Sequence, residues 1–464
     1  WSSDVCSSDL WLLRTYLRGE LGFDGVVMAD GLAVDRLADM AGSIPAAGRA
    51  ALLAGVDISL WDRGFASLEE YADDEAVAAA VDASLRRVLE LKRAFGLLPA
   101  DGDTAMTVPD LPADRIARAI AVTHERSREM ARESLTLLKG DEALGGIRTL
   151  LAGTPAQGGT VVVSGPFADD FGCFLGDYTA PVPEGERTSV YRELCRRYGA
   201  DRVRLAPDPG DLPEDVWAQA AAVVFVCGGT SERSYDSAFD DNGAAKAVPE
   251  HGATCGEGVD LSDIGLPWGQ DARLEAIAAR TGAPIVSVAV CGRAHVLTRV
   301  MDRSAVVVWA GYAGQYGPQA VADALAGGAA LPGRLPVTLP AYPAAVPVRY
   351  NDRQGAAHVY RDADEPVLLP FGFGLGALAG VTVDDMRAAA DAGSETLAVT
   401  LAVSAGPSGA RGALNLFAHC VGGHRVPRLS MLVGSEYLRL EAGQRREVRM
   451  AVPFPSLMDA GDGM

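Results

Sequence analysis

The stretch Leu21-Gly-Phe-Asp-Gly-Val-Val-Met-Ala-Asp30 indicates the architecture of the first part of this chain. A short apolar run ends in a carboxylate, which is typical of a buried parallel strand with a polar residue at its C-terminal tip. Ala54-Gly-Val-Asp-Ile-Ser-Leu60 has the same pattern. An amphipathic helix is predicted over residues 73–98, with an apolar face of Val77, Val81, Leu85, Val88, Leu91 and Phe95. Strands that alternate with helices predict a parallel sheet or barrel.

A second α/β series is predicted after a linker at residues 99–130, which is rich in Pro, Asp and Gly at about 99–113. Its strand candidates are residues 134–138, 160–164, 222–227, 284–291 and 305–309, with helices at 269–280 and 319–325. This series predicts a three-layer α/β sandwich domain over residues 131–375. Residues 376–464 differ, because apolar and polar residues alternate at 396–403, 413–420, 436–440 and 446–452. That period is typical of an antiparallel β-sandwich.

Length and charge exclude several classes of protein. The chain has 464 residues, enough for about three domains. Its hydrophobic fraction of 48% excludes a mostly disordered chain. A formal net charge of −20 disfavours nucleic acid and anionic membranes as partners. No run reaches the roughly 18 apolar residues that a membrane helix needs.

The seven cysteines are scattered and contain no Cys-x-x-Cys pair. Neither a disulfide framework nor a zinc site is therefore predicted, and we expect no metal and no organic cofactor. This cysteine usage favours a reducing compartment such as the cytoplasm.

Residues 1–10 lack the features of a signal peptide. One codon choice for them matches a common sequencing-library adapter read in frame. We therefore expect that they are not native and that the gene is cut off at its 5′ end, so that targeting information is missing.

A series of short blocks resembles glycoside hydrolase family 3, in the order of that family. After the two strand segments come Val88–Leu98, Ala131–Lys139, Val162–Pro166, Gly256–Asp260, Leu266–Gln270, Gly314–Gly317, Gly333–Pro340 and Leu369–Leu375. The resemblance covers residues 12–375 and implies the C-terminal part of a (β/α)₈ barrel at residues 11–98. It also implies the α/β sandwich domain and a short fibronectin type III-like domain after residue 376.

The resemblance implies that Asp30 is the catalytic nucleophile. The position suits the role, since the carboxyl ends of barrel strands face the catalytic mouth. In a retaining glycosidase one carboxylate attacks the anomeric carbon, and a second carboxyl group protonates the leaving oxygen and then activates water. The family commonly has Trp or Tyr after this Asp, whereas Gly31 follows here.

The acid/base residue is expected on a loop of the second domain. The best match is Glu257 in Gly256-Glu-Gly-Val-Asp260, and Glu232 is the rival, with Glu250 a more distant alternative. A general acid must keep its proton near neutral pH, which requires a raised pKa.

Four further residues are weaker candidates for substrate binding. Asp57 either caps its strand or orients a sugar hydroxyl, and Tyr178, Arg187 and Arg233 lie in loops near the expected cleft.

The implied function is a retaining exo-β-glycosidase that hydrolyses terminal β-D-glucosyl or xylosyl residues. Its expected partner is a β-linked oligosaccharide or an aryl β-glycoside, and a homodimer is left open. We expect the chain itself to be inactive or very weak, because only about 90 residues belong to a barrel that takes about 250. The alternatives are a non-catalytic carbohydrate-binding or structural relative, a β-N-acetylhexosaminidase and, from the second domain alone, a dehydrogenase. Against a dehydrogenase, the sequence lacks the phosphate-binding fingerprint of dinucleotide-binding proteins.

Overall fold

The computed structural model describes residues 7–98, 112–152, 159–232, 252–257, 259–327, 330–353, 360–419, 421 and 426–457. The described residues fall into two compact units, one up to Ile116 and the other from Ala117 onward. The first unit is called the strand-pair unit below, and the second the sheet unit.

The strand-pair unit is built around two short parallel strands, in which Met28 pairs with Ile58 and Gly31 with Leu60. Its elements are α1 (Trp11–Glu20, with π-type hydrogen bonds), β1 (Met28–Gly31), α2 (Ala38–Ala41), α3 (Ile44–Ala54), β2 (Ile58–Leu60) and α4 (Glu75–Ala94). The strands are shorter than the predicted segments 23–30 and 54–60. Met28 is exposed, so β1 is buried on one side only.

Local sequence signals position the two longer helices of this unit. The Ser43 hydroxyl accepts a hydrogen bond from the amide of Ala46 at the start of α3, and Gly55 ends that helix in the left-handed region. Asp74 caps α4 by accepting from the amides of Ala76 and Val77. The cap at Asp74 sets the start of α4 within two residues of the predicted start at residue 73.

The predicted apolar face of α4 is wrong, because a different side of the helix is buried. Val77, Ala80 and Ser84 are buried, whereas Leu85 is 52% exposed and Phe95 72% exposed. Ser84 and the next inward residue, Arg87, both hydrogen-bond to Asp57. The inward side of α4 therefore combines the apolar residues Val77 and Ala80 with polar contacts to Asp57.

The sheet unit contains a six-stranded sheet in the order β3-β8-β7-β6-β4-β5, in which only β3 runs antiparallel to its neighbour. The strands are β3 (Thr136–Lys139), β4 (Thr160–Ser164), β5 (Val203–Ala206), β6 (Ala220–Gly228), β7 (Ile285–Val290) and β8 (Val306–Trp309). Its helices are α5 (Ala113–Ser134), α6 (Asp141–Ala152), α7 (Val190–Tyr198), α8 (Glu214–Ala218), α9 (Gln270–Ala278), α10 (Thr298–Arg303) and α11 (Gly317–Leu325).

Apolar residues of the central strands alternate between two cores. Val161 and Val163 of β4 contribute to one cluster, and Val162 contributes to the other. Leu194 of α7 packs in the first cluster and Leu274 of α9 in the second. Helices thus cover both faces, as parallel strands require, and the predicted α/β class is confirmed.

Part of the expected linker is a helix. Residues 113–130, placed in the linker at 99–130, belong to α5, while residues 99–111 lie outside the described part of the chain. Most of α5 is exposed, and Ala131 is its buried residue. A polar helix with so little buried surface resembles a linker in composition.

After two short strands, β9 (Leu339–Pro340) and β10 (Val367–Leu369), come two antiparallel sheets. One has the order β11-β12-β15 and the other pairs β13 with β14. The strands are β11 (Thr382–Asp391), β12 (Thr396–Ser404), β13 (Ala410–Ala418), β14 (Met431–Leu440) and β15 (Arg445–Pro453), followed by α12 (Phe454–Leu457). Strands from both sheets share one core, which includes Val403, Leu438 and Val452. The sequence pattern missed β11, since every residue of this edge strand is exposed.

Candidate active site

Asp30 lies in β1, next to the last residue of the strand. The residue is exposed, and its Oδ1 accepts a hydrogen bond of 2.8 Å from the Gly31 amide. The Gly31 amide thus holds Oδ1, while Oδ2 of Asp30 makes no hydrogen bond to the described residues. The carboxylate is therefore oriented and accessible, as a nucleophile requires.

The loops that follow β1 and β2 are joined by two carboxylates. Asp62 Oδ1 accepts from the Asp35 amide at 2.9 Å, and Asp35 Oδ1 accepts from the amides of Arg63 and Gly64 at 2.9 and 2.8 Å. Burial raises the pKa of Asp62, whose Oδ2 has no partner among the described residues. This pair of loops, called the Asp35–Asp62 clasp below, fixes the backbone beyond both strand ends.

Trp61 is a residue of this region that the sequence analysis missed. It directly follows β2, is 81% exposed and has a φ of 61°. A Cβ placed on Gly31 would lie 2.9 Å from Cε3 of its ring, so the indole lies against Gly31. An aromatic residue at a strand tip, one strand away from Asp30, was the signal available in the sequence.

Asp57 lies at the other end of the strand pair, with its side chain fully buried. Its Oδ2 accepts from Arg18 Nη2 and from the Val27 amide, both at 2.8 Å. Its Oδ1 accepts from Nε and Nη2 of Arg87 at 2.9 and 2.6 Å. Because both oxygens are engaged inside the unit, this geometry favours the structural alternative over contact with a sugar hydroxyl.

Glu257 and its rival Glu232 lie on two chain segments that hydrogen-bond to each other in the sheet unit. The Thr254 amide donates to the Thr230 carbonyl at 2.7 Å, and the Ser231 hydroxyl donates to the Cys255 carbonyl at 2.9 Å. Both glutamates are exposed and follow these contacts directly. Since Ser231 lies three residues beyond the end of β6, both project from the same carboxyl-end region of the sheet.

The two glutamates have different neighbours. The Glu257 amide donates to Asp177 Oδ2 at 2.7 Å, within a tight turn closed by the pairing of Gly256 with Val259. A Cβ placed on Gly172 would lie 2.5 Å from the Glu232 carboxyl carbon, so Glu232 lies against the backbone of another loop. The structure thus gives Glu257 a defined turn next to Asp177.

Tyr178 is brought close to this turn, since it follows Asp177. It is 69% exposed and has a φ of 56°. Arg187 is exposed, and its Nε donates to the Val182 carbonyl at 2.9 Å. No hydrogen bond or ion pair described in the structure joins Arg187 to Glu257. Arg233 and Glu250 lie outside the described residues.

A polar cluster supports the segment before Glu257. Tyr312 Oη lies 2.9 Å from Cys255 Sγ and 3.0 Å from Ser231 Oγ. Burial, together with the contact to Cys255, raises the pKa of Tyr312 well above its usual range. Arg293 donates to the Thr254 carbonyl at 3.0 Å and to Asp260 at 2.6 Å, so it spans the turn. These supporting residues were not found from the sequence.

Within the described ranges, the structure contains neither a metal-binding cluster nor a membrane-spanning helix. No group of three or more His, Cys, Asp or Glu side chains there could hold a metal ion. None of the helices described is both long and apolar enough to cross a bilayer. The cysteines at 173, 195, 227, 255 and 291 are thiols, while Cys6 and Cys420 lie outside the described residues.

Two family models match this chain over both units. The glycosyl hydrolase family 3 N-terminal domain matches residues 1–91, and the family 3 C-terminal domain matches residues 149–377. The chain belongs to glycoside hydrolase family 3. The family resemblance of the sequence blocks is thereby confirmed.

Curated relatives of this family 3 chain are named as glycosidases. A periplasmic β-glucosidase of Salmonella typhimurium is 26% identical over 97% of this chain and 61% of its own length. A β-xylosidase of Formosa agariphila is 27% identical over 80% of this chain and 51% of its own length. The chain therefore spans between half and two thirds of the length of these relatives.

Solved structures share the fold. A β-glucosidase from Listeria innocua in complex with glucose has a TM-score of 0.77 and 20% identity, covering 97% of this chain and 60% of that protein. A β-glucosidase from Erythrobacter marinus also has a TM-score of 0.77, with 22% identity, covering 98% of this chain and 62% of that protein. At this identity the comparison establishes the α/β fold with its additional antiparallel sheets.

Proposed function

We propose that this protein is a retaining exo-β-glycosidase in which Asp30 is the nucleophile. The observation that carries the proposal is the accessible Asp30 carboxylate, held by one amide at the carboxyl end of β1 within the region matched by the family 3 N-terminal domain. A carboxylate that was only a loop cap would be engaged by several donors, as Asp57 is.

The proposed reaction has two displacements at the anomeric carbon. Asp30 attacks this carbon, and the bond to the leaving oxygen breaks as that oxygen gains a proton from the general acid. The general-acid residue, now a base, takes a proton from water. That water attacks the anomeric carbon and releases the sugar from Asp30. Such carboxyl pairs stand about 5–5.5 Å apart in retaining enzymes.

Glu257 is the proposed acid/base. Its turn is defined by the bond from its amide to Asp177 and by the left-handed backbone at Gly256, which favours glycine. Glu232 lies against Gly172 in a neighbouring loop and is the alternative. Tyr178, next to Asp177, is proposed to contact the sugar, and Arg187 and Arg233 are weaker proposals.

The proposed substrates are β-D-glucosides or β-D-xylosides. Relatives carry both names, and neighbouring structures hold glucose or laminaribiose. We further propose that the strand-pair unit is the C-terminal part of a (β/α)₈ barrel and that the last two sheets form a fibronectin type III-like domain. The strand-pair unit contains the parallel β1–β2 pair with α3 between the strands, and the last two sheets enclose a shared core.

The nucleophile is tested with 2,4-dinitrophenyl 2-deoxy-2-fluoro-β-D-glucoside and intact mass spectrometry. We propose that the activity of this chain is very weak, and this probe suits such an enzyme because it completes the first displacement but is released slowly, so that even very weak activity accumulates as an adduct. We expect one 2-fluoroglucosyl group on the 464-residue chain and, after proteolysis, on the peptide that contains Asp30. A folded chain that takes no label, or takes it elsewhere, would contradict the proposal.

The acid/base assignment is tested with Glu257→Ala and Glu232→Ala. The dinitrophenolate leaves without a proton, so the acid/base variant should label normally with the fluoroglucoside. With the matching dinitrophenyl β-glucoside, azide should then replace water and give β-glucosyl azide in that variant. Azide product from Glu232→Ala alone would transfer the role to Glu232.

A further inference from the structure

The backbone at Trp61 is strained and its side chain is exposed, so burial does not offset the cost of the strain. Its φ of 61° lies in the left-handed region, which bulky residues rarely adopt. Its indole, 81% exposed, recovers little from burial. A residue retained in such a state is a reason to look for function at that position.

The Asp35–Asp62 clasp holds Trp61 in this conformation. The residue before it, Leu60, pairs with Gly31, and its carbonyl accepts from the Leu32 amide at 3.0 Å. The residue after it, Asp62, accepts from the Asp35 amide. Trp61 is thus fixed on both sides, so its ring is presented by a rigid backbone rather than by a loose loop.

Gly31 and Trp61 fit each other. A Cβ on residue 31 would lie 2.9 Å from Cε3 and 3.0 Å from Cζ3 of the indole. Any other residue at position 31 would therefore displace the ring. Gly31 also donates its amide to Asp30, so the nucleophile carboxylate and the indole contact the same residue.

We propose that Trp61 is a sugar-binding platform beside Asp30, and that Gly31 is required because it leaves room for the ring. The inference rests on the proposed glycosidase function. A pyranose presents a face of C–H groups, and a flat, exposed indole offers that face an apolar partner of matching size. The platform would add affinity for the sugar held for attack by Asp30, and it takes no part in proton transfer.

The test separates binding from chemistry by using the same fluoroglucoside at a series of concentrations. The limiting labelling rate reports the chemical step, and the half-saturating concentration reports binding. Trp61→Ala should raise the half-saturating concentration about tenfold, the order expected for losing one aromatic stacking partner, with a smaller change in the limiting rate. Trp61→Phe should retain most of the affinity, and Trp11→Ala, another exposed tryptophan of this unit, should match the unaltered chain.

The contact between Gly31 and Trp61 allows a second test, in which both residues are changed singly and together. Gly31→Ala should weaken binding in the unaltered chain because the new methyl group displaces the ring. In the Trp61→Ala background the same change should have little further effect on binding, so the two effects should not add. Additive effects would overturn the proposed link between Gly31 and Trp61.

Thermal unfolding distinguishes a platform from a structural side chain. Trp61→Ala removes an exposed ring, so its Tm should not fall, and Trp61→Gly should raise Tm because glycine adopts this φ without strain. A lower Tm for both variants would overturn the platform. Labelling of Trp61→Ala at an unchanged half-saturating concentration would overturn this inference alone, whereas no labelling of the folded, unaltered chain would overturn it together with the proposed function.

Discussion

Asp30 and Asp57 lie at opposite ends of the same strand pair and have opposite surroundings. Asp57 precedes β2, is buried, and forms ion pairs with Arg18 and Arg87 from two helices. Asp30 is the second-to-last residue of β1, is exposed and accepts one amide hydrogen bond. In barrel enzymes the amino ends of the strands serve stability and the carboxyl ends serve catalysis. The comparison shows that one residue type can be saturated by donors or left accessible to solvent, and the proposed role of Asp30 depends on the second state.

The largest expected effect is on chemistry at the carboxyl end. Asp30→Asn should lower the rate of labelling by the fluoroglucoside at least about 10³-fold, because the amide is a poor nucleophile. Its free energy of unfolding should stay within about 0.5 kcal/mol, since the side chain is exposed. Intact mass spectrometry and urea unfolding measure the two quantities. Labelling at the normal rate would end the assignment of separate roles to the two aspartates.

The largest expected effect on stability is at the amino end. Asp57→Asn leaves the two partly buried guanidinium groups of Arg18 and Arg87 without a counter-ion, and should destabilise the strand-pair unit by about 3–5 kcal/mol. Urea unfolding followed by circular dichroism measures this loss. Asp73→Asn, at an exposed aspartate of the same unit, is the matched control and should change stability by less than about 0.5 kcal/mol. A loss below about 1 kcal/mol for Asp57→Asn would show that the ion triad is not structural.

A smaller effect is expected in how the free energy of unfolding depends on pH, through Asp62 of the Asp35–Asp62 clasp. Burial raises the pKa of Asp62 above its usual 3.8, so the folded chain keeps this proton to a higher pH than the unfolded chain. The contribution of Asp62 to stability is therefore present at low pH and is lost as pH rises from about 3.8 through the folded pKa. Asp62→Asn should remove this part of the dependence.

The measurement is the free energy of unfolding between about pH 4 and pH 7 for both proteins. The difference between Asp62→Asn and the unaltered chain should grow in favour of the variant as pH rises. A difference that is constant across the range would mean that Asp62 does not titrate differently in the folded state.

The smallest expected effect is at the rim of the same clasp. Arg63 pairs with Asp35 at 3.2 Å, but its side chain is 77% exposed and the pair is screened by solvent. Arg63→Ala should cost at most about 0.5 kcal/mol. Asp35→Ala also removes the acceptor of two loop amides, and should cost about 1–2 kcal/mol. Equal losses in urea unfolding would show that the ion pair, rather than the amide contacts, holds the loop.

The α/β class and most strands of the six-stranded sheet could be predicted from the sequence. Buried parallel strands are continuous apolar runs, so β4 was found with its observed bounds and β6 and β7 nearly so. The edge strands β5 and β11 gave no such signal. β5 has four residues, and β11 carries exposed residues throughout. Their pairing depends on a neighbouring strand rather than on their own composition.

The candidate site was predicted unevenly. Asp30 and Glu257 could be proposed because the blocks around them match a family pattern, and their catalytic roles stay predictions. The dual interpretation of Asp57 remained open in the sequence, since its partners Arg18 and Arg87 are 39 and 30 residues away in the chain. Trp61 was missed because its place at a strand tip does not by itself show whether the aromatic side chain is exposed or belongs to the core.

The sequence by itself determined the periodic features: apolar strands, capped helices, and carboxylates placed at strand ends. These depend on neighbours a few residues apart, where propensity and capping act. The tertiary structure alone decided which carboxylate is saturated and which remains accessible, and where the indole of Trp61 lies. Those properties depend on donors and surfaces brought together from distant positions, and a linear pattern does not encode the distance between them.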